Sequence, residues 1–154
     1  MKPLVIVLTL TVFFAAVAVC SAQNPQMGTW KLNEAKSKFG PGATKNHTVV
    51  YEAAGDMTKV TVDGTDSAGN ATHNEWTGKF DGKDYPVTGD ATADTRSYKE
   101  INDHTLAFAG KKDGKVTISG RVAVSADGKT RTVTVNTTDA AGKKVKGTAV
   151  YDKQ

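Results

Sequence analysis

The stretch His104–Ser125, HTLAFAGKKDGKVTISGRVAVS, decides how this chain is read. Leu106 and Phe108 precede Asp113-Gly114, and Val116, Ile118, Gly120, Val122 and Val124 follow it, each separated from the next by one polar or small residue. Alternation at period two puts these residues on one face of a strand, and Asp-Gly between two such runs supplies the positive φ angles of a tight hairpin. Asp63-Gly64, Asp81-Gly82 and Asp127-Gly128 repeat the signal and predict turns of the same kind. Working outward, the pattern predicts strands over 28–33, 46–53, 57–64, 71–80, 84–88, 95–101, 104–111, 115–125, 130–138 and 143–152. The fold class expected is all-β, an antiparallel up-and-down meander closing into a barrel of about 8–10 strands.

The same alternation assigns an inward face to Val60 and Val62, to Trp76, Gly78 and Phe80, to Val133 and Val135, and to Val145, Gly147, Ala149 and Tyr151. Glycines 78, 120 and 147 fall on that face in mid-strand, where they allow a sharp bend or leave free volume inside. Only Glu34 to Lys38 lacks the period-two pattern and can form one helical turn, stopped by Gly40-Pro41-Gly42. After residue 22 there are 19 threonines but only 27 bulky apolar residues. β-branched side chains suit a pleated surface, while so few bulky ones fill one sheet face and not two. A ten-strand perimeter is therefore expected to enclose more volume than they occupy.

Residues 1–22 read as a secretory signal peptide: Lys2 is their one charge, an apolar run extends from Leu4 to Val19, and Cys20-Ser21-Ala22 offers small residues for cleavage. The run is short for a retained membrane anchor. Val17-Ala18-Val19-Cys20 is a poor lipobox, which leaves a lipoprotein anchored at Cys20 as the lesser alternative. Residues 23–154 then form a single β-barrel domain, secreted or periplasmic, with no cysteine and no stable membrane insertion. The whole chain carries 20 Lys and Arg against 16 Asp and Glu, interspersed, with no basic stripe of the kind that binds nucleic acid. A monomer is expected.

Gly28-Thr29-Trp30-Lys31-Leu32 opens the domain and Ala149-Val150-Tyr151-Asp152-Lys153 closes it. With the meander between them, these segments resemble the calycin barrels, the lipocalins and especially the intracellular fatty-acid-binding proteins. The chain is also similar to small secreted bacterial proteins that begin with the same Gly-Thr-Trp-Lys-Leu segment. The resemblance implies that Trp30 is a structural plug at the closed end, that the last strand returns beside the first, and that a small apolar or amphipathic ligand sits inside. Two departures stand out. Glu34 to Lys45 is too short for the helix-turn-helix lid of the fatty-acid-binding proteins, and Ala149 stands where their Arg-x-Tyr pair has its arginine, Tyr151 matching the tyrosine. Together with the leader, these favour the lipocalin side of the resemblance.

Arg96 and Arg131 fall on the inward register with Tyr98 and with Val133 and Val135. An inward arginine is costly unless paired and so marks an anion or carboxylate anchor; at a strand end the same side chain can instead reach water. Trp76, Phe80, Tyr98 and Phe108 are inward aromatics that fill the core and line any pocket. With Arg96, Arg131 and Tyr151 they make up the expected ligand-binding set. No metal, cofactor or catalytic group is expected. His47, His73 and His104 are scattered, and Asp81, Asp84, Asp90 and Asp94 lack a calcium-loop pattern and serve turns. No Gly-x-Ser-x-Gly occurs, and alternation turns Glu75 to solvent. The reading is of a ligand-binding protein that is not an enzyme, the alternative being a filled barrel whose outer face meets a protein or glycan.

Overall fold

The computed structural model describes residues 23–138 and 141–154; residues 1–22, where a leader, its cleavage site and the alternative anchor at Cys20 are expected, lie outside the described residues. Ten strands follow in sequence: β1 Gly28–Leu32, β2 Lys45–Ala54, β3 Met57–Thr65, β4 Ala71–Gly78, β5 Tyr85–Thr88, β6 Thr95–Asn102, β7 Thr105–Lys112, β8 Lys115–Val124, β9 Thr130–Thr138 and β10 Lys144–Lys153. Each pairs antiparallel with its neighbours in the chain, and β10 returns to pair with β1, Trp30 standing opposite Lys153, so the sheet closes into a ten-strand up-and-down barrel. Among the described residues, helix is confined to one 3-10 turn, Glu34–Lys36, capped by the Asn33 side chain accepting from the Lys36 amide at 3.2 Å. No described helix is long and apolar enough to cross a membrane.

The β7–β8 hairpin turns on Asp113 (φ 49°) and Gly114 (φ 75°), the two positive angles that its sequence requires. Asp63-Gly64 does not turn. It lies inside β3, and the β2–β3 hairpin turns instead at Gly55 (φ 65°). The register of β2 against β3 shifts between Asn46 and Thr48, and a Cβ at Gly64 would collide with the Lys45 carbonyl oxygen. This glycine serves a bulge, where backbone meets backbone, rather than a hairpin. A second bulge overturns the inward assignment of Val116. Gly110 pairs with Ile118 but Lys111 with Val116, so Thr117 is the extra residue and Val116 faces out, 59% exposed.

Two segments outside the strands close the ends. At the end where β1 begins, the chain before it crosses the barrel mouth. Gln26 is 1% exposed; its carbonyl accepts from Trp30 Nε1 at 2.9 Å and its side-chain amide donates to the His104 carbonyl at 3.2 Å. At the opposite end the β1–β2 connection is tied to β10 by reciprocal backbone bonds between Lys38 and Thr148, and Phe39 packs against the core. The β5–β6 loop closes the same end, with buried Ala93 set against Gly110.

Candidate functional site

The interior is mostly filled. A Cβ at Gly78 would lie 2.5 Å from Trp76 Cζ2 and 2.6 Å from Tyr85 Cγ, and one at Gly120 would lie 2.8 Å from Phe108 Cε1. Trp76 from the same strand and Tyr85 from the next thus lie over Gly78, and Phe108 lies over Gly120, where the Thr134 carbonyl oxygen approaches closer still. Tyr98 joins the same cluster, 4.8 Å from Trp76 between centroids, and Phe80 stacks on Trp76 at 6.3 Å with 9° between planes. In place of the large free volume expected, the described residues leave a partly open interior cavity of about 100 Å³.

That cavity lies away from Trp76 and Phe80, which belong to the packed cluster and do not border it. Arg96, Tyr98, Phe108, Arg131 and Tyr151 all do, joined by Tyr51 and Asn46. Val49, Val62, Val122, Val133, Val135 and Ile118 supply the apolar wall. Tyr51 was not singled out in the sequence, although its β2 register gives the signal: it alternates with Val49, and its centroid is 6.4 Å from those of both Phe80 and Tyr98.

The two inward arginines are both largely buried, and they are handled differently. Arg96 Nη2 donates to Asp90 Oδ2 at 2.7 Å, with side-chain exposures of 11% and 13%. Burial pushes the Asp90 carboxyl up, but donation from the Thr92 hydroxyl and amide and from Arg96 outweighs it and holds the group below the usual carboxylate range. Arg131 is 2% exposed, and its Nε and Nη1 find no acceptor among the described residues. Aromatic rings surround it instead: its guanidinium carbon lies 4.8 Å from the Tyr151 centroid, 5.1 Å from Tyr51 and 5.2 Å from Trp30.

Ring faces return roughly 2 kcal/mol or more to a desolvated cation, less than the several kcal/mol that its dehydration costs. Burial, and for Tyr51 the adjacent Tyr98, raises the phenols of Tyr51 and Tyr151, with the Arg131 charge opposing. Both remain neutral O–H donors at physiological pH. Trp30 is fully buried behind Arg131, does not border the cavity, and has Lys153 Nζ 5.2 Å from its ring as well.

The remaining titratable residues stand outside this arrangement. His73 Nδ1 meets Asp63 at 2.6 Å and Glu75 meets Lys59 at 2.8 Å on the exposed wall of β3 and β4. Among the described residues no group of three His, Cys, Asp or Glu side chains is arranged to hold a metal ion. A shallow depression of about 420 Å³ lies over β7, β8 and β9, with Arg121, Thr134 and Asn136 on its rim.

No protein-family model matches the chain, and no curated protein matches it in sequence. Among the solved structures similar to it are two β-barrels. One is EF1p2_mFAP2b bound to DFHBI, with 10% identity over 84% of this chain and 94% of that one and a TM-score of 0.50. The other is the redesigned β-barrel mFAP1 bound to DFHBI, with 14% identity over 84% and 95% and a TM-score of 0.47. At 10% identity, what the chain shares with the first is its fold, a closed antiparallel β-barrel.

Proposed function

We propose that the protein is a non-catalytic binding module that holds one small amphipathic ligand inside its barrel. The observation that carries this reading is the cavity of about 100 Å³, walled by valines, Ile118 and Phe108 on one side and bordered by the buried, acceptor-free Arg131 on the other. An apolar wall with a few convergent polar groups is the composition of a ligand site. The volume sets the scale. Drug-sized ligands occupy about 300–1,000 Å³, and an apolar cavity of about 150 Å³ holds benzene, so the occupant is compact rather than a long-chain lipid. The leader read in residues 1–22 supports a secreted or periplasmic site of action.

The test is an NMR titration of residues 23–154 with small neutral, cationic and anionic molecules no larger than benzene. At least one class should shift the amides of Tyr51, Phe108, Val133 and Tyr151 saturably, at one molecule per chain. If no class does so, the barrel is a filled scaffold, and the depression over β7–β9 becomes the surface to probe for a macromolecular partner.

A further inference from the structure

We propose that the interior site takes a compact monocarboxylate with a short apolar tail, its head on Arg131 and its tail against the valine wall. This rests on the interior-binding reading above and names the chemistry of its ligand.

The first argument is a charge account of the cavity wall. Two guanidiniums border it, and no Asp or Glu does. Arg96 is neutralised by Asp90 at 2.7 Å, whereas Arg131 has no carboxylate partner among the described residues. Burial holds the Tyr51 and Tyr151 phenols in their neutral form. The wall therefore carries one uncompensated positive charge, which one negative charge cancels. A neutral molecule leaves Arg131 unrelieved, a cation repeats its charge, and a dianion brings a second buried charge with no partner.

The second argument is what the surroundings leave available. Tyr151 stands directly opposite Arg131 in the β9–β10 register, and three rings lie within 5.2 Å of the guanidinium carbon. The rings occupy space beside the cation without accepting its hydrogen bonds, so Nε–H and Nη1–H keep donor capacity that a carboxylate can take. The third argument is volume. A cavity of about 100 Å³ is smaller than the benzene-holding case, which limits the guest to at most about six non-hydrogen atoms and makes a four-carbon acid the largest that fits. Val49, Val62, Val122 and Val133 give such an acid an apolar wall that a bare inorganic anion does not use.

The experiment compares butyrate, butyramide, butylammonium, succinate and chloride by calorimetry and NMR on residues 23–154. Butyrate should bind at one per chain, at least tenfold more tightly than butyramide, with butylammonium and succinate not binding inside and chloride weaker than butyrate. Arg131→Met should abolish the preference for the acid. If butyrate and butyramide bind inside with equal affinity, the carboxylate assignment is wrong while the interior-binding reading stands. Chloride matching butyrate would reduce the site to one for any monoanion and also overturn it. No interior binding by any of the five would sink both readings. Because the acid-to-amide ratio is read on the unaltered sequence, the outcome does not depend on whether Arg131→Met folds.

Discussion

The β5–β6 side of the barrel and the β9–β10 side each bury one inward arginine at the same cavity, and they differ in how its charge is met. On the first, Arg96 is matched by a carboxylate at 2.7 Å, its own backbone carbonyl accepts from Trp76 Nε1 at 2.8 Å, and packed rings leave no space beside Trp76. On the second, Arg131 is held by the faces of Trp30, Tyr51 and Tyr151, and its Nε and Nη1 have no acceptor among the described residues. A buried charge can be made tolerable by a partner within the chain, or it can be left for a partner from outside. Arg96 is part of the structure's own balance. Arg131 is the group whose balance the fold leaves incomplete, and this locates the candidate site.

The largest expected effect tests what supports Arg131 from behind. Trp30→Ala removes a fully buried indole and its bond to Gln26, and it should cost about 3–5 kcal/mol in urea unfolding through the cavity left behind. A variant as stable as the parent would mean that Trp30 does not close this end of the barrel.

The next contrast is between the arginines themselves. Arg96→Met strands Asp90 without its cation, and because both side chains retain some exposure, the cost should be about 2–3 kcal/mol. Arg131→Met replaces an acceptor-free buried cation with an apolar side chain of similar length, and it should leave stability within about 1 kcal/mol of the parent or raise it. Equal and large losses for both variants would show that Arg131 has a partner inside the protein, and the asymmetry would collapse.

A smaller effect sharpens the Arg96 side through pH. The folded state lowers the Asp90 carboxyl below its ordinary 3.8, so the associated stability is fully present above that value and is lost as pH falls through the lower folded-state value. Asp90→Asn should therefore flatten the acid limb of stability below about pH 4, while Arg131→Met leaves that limb unchanged. An unchanged acid limb in Asp90→Asn would mean that the Asp90–Arg96 pair contributes nothing to folding.

Much of the fold was legible because each hairpin is local. Alternation and turn residues lie within a few positions of one another, and the expected strands match the observed ones to within two residues. The exceptions are local. Asp63-Gly64 lies inside β3, Asp81-Gly82 bonds to β6 instead of making a two-residue turn, and the bulge at Thr117 adds a residue that the pattern does not show and sends Val116 to the outside. It also hid the filled glycine gap at 120. Counting back from the Asp113-Gly114 turn sets Phe108 against Ser119, and only the bulge at Thr117 brings it opposite Gly120.

The candidate site was legible in part. Arg96, Tyr98, Phe108, Arg131 and Tyr151 share the inward register and border the cavity, whereas Trp76 and Phe80 share that register but pack into the filled side. Period two assigns a face; it does not say at which height along the barrel a side chain lies or which strand it meets across the lumen. For that reason neither Asp90 as the partner of Arg96, nor Gln26 beneath Trp30, nor the ring cage of Arg131 could be read from spacing.

The most direct measurement is the pair of arginine Nε–H resonances in a ¹⁵N NMR titration with butyrate. The account predicts that the Arg131 signal shifts saturably at one butyrate per chain, and that the Arg96 signal, already matched by Asp90, stays in place. Movement of Arg96 with Arg131 unmoved, or saturation with neither moving, would contradict it.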